Sequence, residues 1–279
     1  MAVVAVVITV VPTENALGAF VSYTGDVIAN ATPPAAIDAH SEVTGPQPAG
    51  VLDRHLRAEV NGLSFGLAIV RGHASPGALG GFVSVEAGIT AGIVGSNAGA
   101  QGLQSLEWGD RLLIVGEPSL PPGTHVQVRA ILSLSSQVSM VGESCHAGFA
   151  GPTAEARLLV RGFFTLPVAD VFCDGPPAAR IVSQVFDTRV GAAVDVSGSL
   201  STRAIVTAVS PVFDARGVVD AESTAVTYLD CLTPGCSYTT ESGSDYTAPR
   251  ETVPEPGMLM LLAIGVAGVW TLGRTSRPT

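Results

Sequence analysis

Residues 125–134 read His-Val-Gln-Val-Arg-Ala-Ile-Leu-Ser-Leu. Apolar side chains occupy every second position from 126 to 134, and the polar residues Gln127, Arg129 and Ser133 lie between them. A β-strand points alternate side chains to opposite faces of its sheet, so this period predicts a strand with one buried face. We therefore take this stretch as the sign of a β fold.

The same alternation recurs in both directions along the chain. Further strand-like stretches lie at 112–115, 157–164 and 224–229, and turn-forming residues separate the stretches. The number and spacing predict an all-β domain at 19–250, an antiparallel β-sandwich of jelly-roll-like type. The alternating apolar sets, each sharing one face, are Leu63, Phe65, Leu67 and Ile69; Val83, Val85, Ala87 and Ile89; and Val194, Val196, Gly198 and Leu200. Three stretches rich in small residues are predicted as loops: 30–53, 74–81 and 91–102.

The C-terminal stretch 251–279 has a different character. Two prolines fix their own φ angles and favour an extended backbone before them, so an accessible strip is expected there. From 257 to 273 no side chain is charged, and a helix of that length spans roughly 25 Å, close to the thickness of a bilayer core. Arg274 and Arg277 then provide a positive membrane stop on the cytoplasmic side. The strip consists of Val253, Pro254, Glu255 and Pro256.

This order of proline strip, apolar helix and terminal arginines resembles the C-terminal sorting signal of the PEP-CTERM family of exported bacterial proteins. The resemblance implies that the helix anchors the chain in the membrane until an exosortase, a membrane protease, removes the tail. It further implies delivery to the cell surface or extracellular matrix in bacteria that make exopolysaccharide. A plain C-terminal anchor that stays in place is the alternative. Weaker likenesses to the family occur at 108–115 and 242–246.

The N-terminus is predicted to be a signal peptide at 1–18. Residues 2–11 are apolar, and the small residues Ala16 and Gly18 suit cleavage after position 18. No Lys or Arg precedes the apolar run, which departs from the usual pattern. The alternative is a buried N-terminal strand, because Val-rich runs also form core strands.

The charge of the chain excludes one class of partner. All 14 basic residues are arginine, and the formal net charge is -10 at pH 7. Phosphate backbones require a basic surface, so nucleic acid is not expected as a partner.

Four cysteines in an exported chain permit two disulfides. Cys231 and Cys236 flank a Pro-Gly turn between two strand-like stretches, which predicts a bridge across a hairpin tip. By elimination Cys145 would pair with Cys173. A zinc site is the alternative, but the spacing contains no Cys-x-x-Cys pair. We predict no metal site and no cofactor.

Motifs of catalysis are scarce. The chain contains no His-Glu-x-x-His, no Gly-x-Ser-x-Gly and no phosphate-binding loop. Polar clusters at 53–55 and 143–146 could seed a catalytic site, but we favour the interpretation that they are surface polar residues, with Cys145 structural. Trp108, Tyr228, Tyr238 and Tyr246 are candidates for an aromatic sugar platform, and core or hairpin packing explains them equally well. Phe163, Phe164 and Phe172 are predicted as core.

The sequence thus favours a structural or adhesive matrix component without enzymatic activity. The alternatives are a carbohydrate-binding module and a secreted hydrolase.

Overall fold

The computed structural model describes residues 18–32, 35–89, 96–141, 153–171, 178–210 and 215–247. Within these ranges the regular secondary structure consists of thirteen β-strands. Their bounds are β1 Phe20–Thr32, β2 Ala36–Pro48, β3 Leu52–Val60, β4 Ser64–Ser75, β5 Ala78–Ile89, β6 Ser96–Gly116, β7 His125–Val141, β8 Thr153–Val160, β9 Phe164–Val171, β10 Ala178–Arg189, β11 Ala193–Ser210, β12 Ala215–Cys231 and β13 Cys236–Thr240.

The strands form two antiparallel sheets. The first sheet has the order β2-β1-β6-β11-β8-β9, and β13 pairs with β6 beyond the stretch that β1 covers. The second sheet has the order β10-β7-β12-β5-β4-β3. Buried side chains from both sheets pack into common clusters, so the described chain is an all-β, two-sheet structure of sandwich type. The predicted fold class is confirmed at this level.

Residues 125–134 belong to β7, which lies one strand in from the β10 edge of the second sheet. β7 pairs with β10 on one side and with β12 on the other. The alternation predicted a buried face, and the structure confirms it: Val126, Val128, Ala130, Leu132 and Leu134 are all buried.

In β4 the large apolar side chains face outward. Phe65, Leu67 and Ile69 are half-buried on the outer surface of the second sheet, while Gly66 and Ala68 face the core. The core side accepts only small residues there. A Cβ atom on Gly66 would lie 2.6 Å from the carbonyl oxygen of Gly99 in the opposite sheet. The two backbones therefore nearly touch at this point.

The interior has two parts. The first, the large-residue core, contains Trp108, Leu106, Leu132 and Leu158 among others. The buried members of the second, the small-residue core, are Ala and Val side chains, apart from Ile89. Its buried members are Val27, Ala29, Ala31, Ala58, Val60, Ala68, Val70, Val83, Val85, Ala87, Ile89, Ala98, Ala100, Ala204, Val206 and Ala208. Small side chains allow the two sheets to approach closely.

All three loop predictions were wrong, and the small-residue core explains the one at 91–102. Most of 30–53 lies in strands β1, β2 and β3, and the described part of 91–102 is the beginning of β6. Within 74–81 only a tight turn at 76–77 separates β4 from β5. Gly and Ala are poor strand formers in isolation, but here they are the residues that fit between closely spaced sheets.

The Cys231–Cys236 disulfide is present, with the two Cα atoms 5.6 Å apart. The prediction of a hairpin tip was wrong, because β12 belongs to the second sheet and β13 to the first. The chain crosses between sheets here, and Gly235 supports the turn with a φ of 78°. The bridge therefore fastens a crossover between sheets.

Replacing Cys231 and Cys236 together by serine is expected to lower the free energy of unfolding by about 2 kcal/mol, because the closed loop is short. Urea unfolding of the oxidised wild type and the double variant measures the difference. The wild type under reducing conditions provides the control and should resemble the variant. Equal stability of all three samples would contradict a stabilising role for the bridge.

Several predictions concern residues outside the described ranges. These are the sorting tail with its strip and arginines, Cys145, Cys173, Phe172 and all but the last residue of the signal segment. Within the described ranges, no helix has the length and apolar character needed to span a bilayer.

Candidate functional site

A shallow depression of about 360 Å³ lies on the outer face of the second sheet. Strands β3, β4, β5 and β12 contribute its lining. The residues that line it are mainly polar or charged in type, although most of the surface that they expose to the depression is apolar. Most of them come from outward-facing positions of adjacent strands. They include Asp53, His55, Arg71, His73, Phe82, Glu222 and Thr224.

The absence of a side chain at Gly80 opens this depression. His73 and Thr224 are the cross-strand neighbours of Gly80 on either side. A Cβ atom built on Gly80 would meet only the His73 Cβ, at 3.8 Å, which is ordinary contact. Packing therefore does not require glycine at this position, and any larger side chain would occupy the floor of the depression.

Polar groups line the walls. The Nδ1 atom of His73 lies 2.7 Å from Oδ1 of Asp53 on the neighbouring strand. The guanidinium carbon of Arg71 lies 5.4 Å from the centre of the Phe82 ring, a cation–π arrangement that orients its N–H groups. Among the described residues, the exposed Glu222 carboxylate has no hydrogen-bond or ion-pair partner, so it is available to a ligand.

The floor is supported from inside the molecule. Gln104, which is buried in the opposite sheet, donates a hydrogen bond from Nε2 to the carbonyl oxygen of Phe82 at 3.2 Å. Gly81 makes this approach possible, because a Cβ there would lie 2.7 Å from the Gln104 amide nitrogen and 2.8 Å from Thr202 Oγ1. The backbone below the depression is thus held from the interior side of the sheet.

The sequence singled out Asp53 and His55 but missed His73. All three lie on one face, and the antiparallel register of β3 and β4 places His73 opposite Asp53. Within the described chain, the structure shows no hydroxyl or thiol hydrogen-bonded to His73, and no group of three His, Cys, Asp or Glu side chains that could hold a metal. The second polar cluster, at 143–146, lies outside the described residues.

The predicted aromatic platform does not form. Trp108 and Tyr246 are each 1% exposed and stack on one another with ring centres 5.4 Å apart. Tyr238 packs against the large-residue core and donates to the Leu229 carbonyl at 3.2 Å, and Tyr228 is half-buried. The rings of Trp108, Tyr238 and Tyr246 therefore pack in or against the large-residue core, whereas Tyr228 lies on the outer face of the second sheet.

The phenylalanine prediction is correct in part. Phe164 packs against the large-residue core, as expected. Phe163 is 45% exposed and lies at the surface against Phe186, with ring centres 4.8 Å apart, so its assignment to the core was wrong.

Residues 242–246 form what we call the C-terminal latch, which ends the described domain. The Tyr246 hydroxyl donates to Oδ2 of Asp110 at 2.7 Å, and the Ser242 amide donates to Oδ1 at 3.1 Å. The Tyr246 carbonyl accepts the Leu229 amide of the second sheet at 2.7 Å. Burial, and then the Asp110 carboxylate, raise the pKa of Tyr246. The latch therefore joins the two stretches that carried the weaker family likeness.

Together these features define an all-β, two-sheet protein with an open polar depression and a latched C-terminal end. Beyond the latch, residues 252–277 match the family model of the PEP-CTERM protein-sorting motif. The chain thus carries this motif at its C-terminus, as its sequence predicted, and the motif implies export and exosortase processing. No curated protein matches the chain.

Proposed function

We propose that this protein is exported, anchored by its C-terminal segment, cut by an exosortase and then placed at the cell surface or in an exopolysaccharide matrix. Its role there is structural or adhesive, without catalysis. The observation that carries the proposal is the sorting motif at 252–277. The signal segment at 1–18 and the membrane helix at 257–273 belong to the same proposal.

The exposed edges of the domain support an adhesive role. β2 is an edge strand of the first sheet, and Ile37 and Val43 on it are 75% and 65% exposed. β10 is an edge strand of the second sheet and exposes Ile181. Edge strands with apolar side chains offer backbone and side-chain groups to other surfaces.

Processing is tested by the intact mass of the protein recovered from its native host. Wild type is expected to lack the residues beyond about 256, because the extended strip is the recognition element implied by the motif. Changing Pro254, Glu255 and Pro256 to alanine is expected to preserve the tail in full. The matched control changes Pro249, Arg250 and Glu251 to alanine, just outside the matched motif, and should be processed like wild type.

Retention of the tail in all three proteins would replace the proposal by a permanently anchored β domain. Processing of all three would show that the strip is not what the protease recognises. For the matrix role, the processed protein should fractionate with extracellular polysaccharide, and recovery only from the cytoplasmic membrane would contradict it.

A further inference from the structure

The depression around Gly80 offers both kinds of hydrogen-bonding group to one ligand. Asp53 and Glu222 supply acceptors and Arg71 supplies donors, while a neutral imidazole such as that of His55 offers one donor and one acceptor. Thr224 can do either. A ligand that satisfies such a mixed set must itself donate and accept at short intervals, which is the property of vicinal hydroxyl groups.

The charge of the lining is balanced. Its charged residues are Asp53 and Glu222 against Arg54 and Arg71, so with neutral histidines the formal sum is zero. Arg54 is moreover engaged with Glu42 at 2.8 Å. A polyanion would meet both carboxylates, and the net charge of the whole chain, -10, opposes it further. The lining therefore suits an uncharged ligand.

The shape suits part of a long chain. A volume of about 360 Å³ is at the small end for sites that enclose a ligand, and this one opens to solvent along a sheet face. A polymer can place one or two units over the Gly80 floor and continue across the surface on either side. Phe82, held beneath Arg71, provides the apolar contact for the C–H face of such a unit.

We propose that this depression binds a segment of a neutral polysaccharide, whose hydroxyl groups donate hydrogen bonds to Asp53 and Glu222 and accept hydrogen bonds from Arg71. The site differs from the buried Trp108 and Tyr246, which the sequence suggested for sugar binding. The inference deepens the proposed matrix role and rests on it only for the source of the polysaccharide. Binding itself is independent of how the tail is processed.

The test uses the full chain in a detergent without a sugar headgroup. Affinity electrophoresis is run in gels containing dextran, hydroxyethyl cellulose or galactomannan, with carboxymethyl dextran as the charged counterpart. Wild type is expected to be retarded by at least one neutral polymer and less by carboxymethyl dextran. Gly80→Leu, which fills the floor, is expected to weaken retardation by roughly tenfold or more, the equivalent of at least one lost interaction.

Two further variants make the result specific. Gly45→Leu is the matched control, because a Cβ at Gly45 meets nothing within 4 Å and the residue lies on β2 of the first sheet, outside the lining of the depression. It should bind like wild type. Glu222→Gln changes one exposed side chain without steric cost, and should weaken binding even if Gly80→Leu folds poorly.

Each contrary result overturns the inference. No retardation of wild type by any neutral polymer would exclude the proposed ligand class. Tighter binding of carboxymethyl dextran than of dextran would indicate a polyanion ligand. Unchanged binding by both Gly80→Leu and Glu222→Gln would place the sugar site elsewhere. None of these outcomes bears on whether the tail is removed, which the mass measurement decides separately.

Discussion

Tyr246→Ala is expected to lower the free energy of unfolding by about 3–5 kcal/mol, the range for removing a buried aromatic ring. The Tyr246 ring lies between the sheets, stacked on Trp108 of the first and against Gly77 of the second. Its removal leaves a cavity, and Asp110 loses a buried hydrogen-bond donor. Urea denaturation followed by tryptophan fluorescence measures the loss, since Trp108 reports directly on this region.

Two variants separate the contribution of the Tyr246 ring from that of its hydroxyl group. Tyr246→Phe retains the ring and removes only the hydroxyl, so it should cost about 1–3 kcal/mol from the under-satisfied Asp110 carboxylate. Tyr228→Ala is the matched control, because Tyr228 is half-buried on the same domain, and it should cost distinctly less than Tyr246→Ala. If the two alanine variants were equally stable, the latch would not contribute as the structure indicates.

Gly66→Val is expected to be similarly severe, at about 3 kcal/mol or more. A Cβ at Gly66 would lie 2.6 Å from the Gly99 carbonyl oxygen and 3.1 Å from the Asn30 carbonyl oxygen, both in the opposite sheet. These are backbone atoms held in strand ladders, so they cannot rotate away as a flexible side chain could. The sheets would have to separate along the small-residue core, with loss of contact at many neighbouring positions.

The comparison for this prediction is Gly80→Val. Gly80 is also a strand glycine of the second sheet, but its missing side chain faces open space, and valine suits a strand. Gly80→Val should therefore be neutral or slightly stabilising, since glycine carries an entropic cost in a strand. Equal destabilisation of Gly66→Val and Gly80→Val in urea would show that the close approach of the sheets does not limit the fold.

Local signals in the chain were enough for two conclusions. The sorting motif depends on the order of neighbouring residues at 252–277, and local order can be read without a fold. The burial of 126–134 depends on a period of two, which follows from strand geometry alone. Both conclusions concern residues that act together because they are adjacent along the chain.

The loop prediction at 91–102 failed because of the close spacing between the two sheets. Ala and Gly in 91–102 indicate a flexible stretch when each residue is judged by its own preference. Their described part is a strand because a facing strand of the other sheet comes close enough to exclude larger side chains. The same fact reverses the expected faces of β4, whose small residues turn inward and whose Phe65 and Leu67 turn outward.

The candidate site depends on pairings that span long intervals of sequence. His73 meets Asp53 through the register of β3 and β4, and Glu222 joins them only because β12 pairs with β5. Likewise Asp110 meets Tyr246, although the family likeness of each stretch was visible separately. No period or motif within the chain encodes which strands become neighbours.

The sequence by itself therefore determined the β character of the domain and the sorting motif that follows it, because both follow from short-range order. The tertiary structure decided which small residues are core, which polar residues share the Gly80 depression, and that Cys231 and Cys236 connect two sheets. The physical reason is that strand pairing and sheet spacing are collective. The pairing and spacing that form are those with the lowest free energy summed over many side chains. No single segment of the chain therefore specifies them.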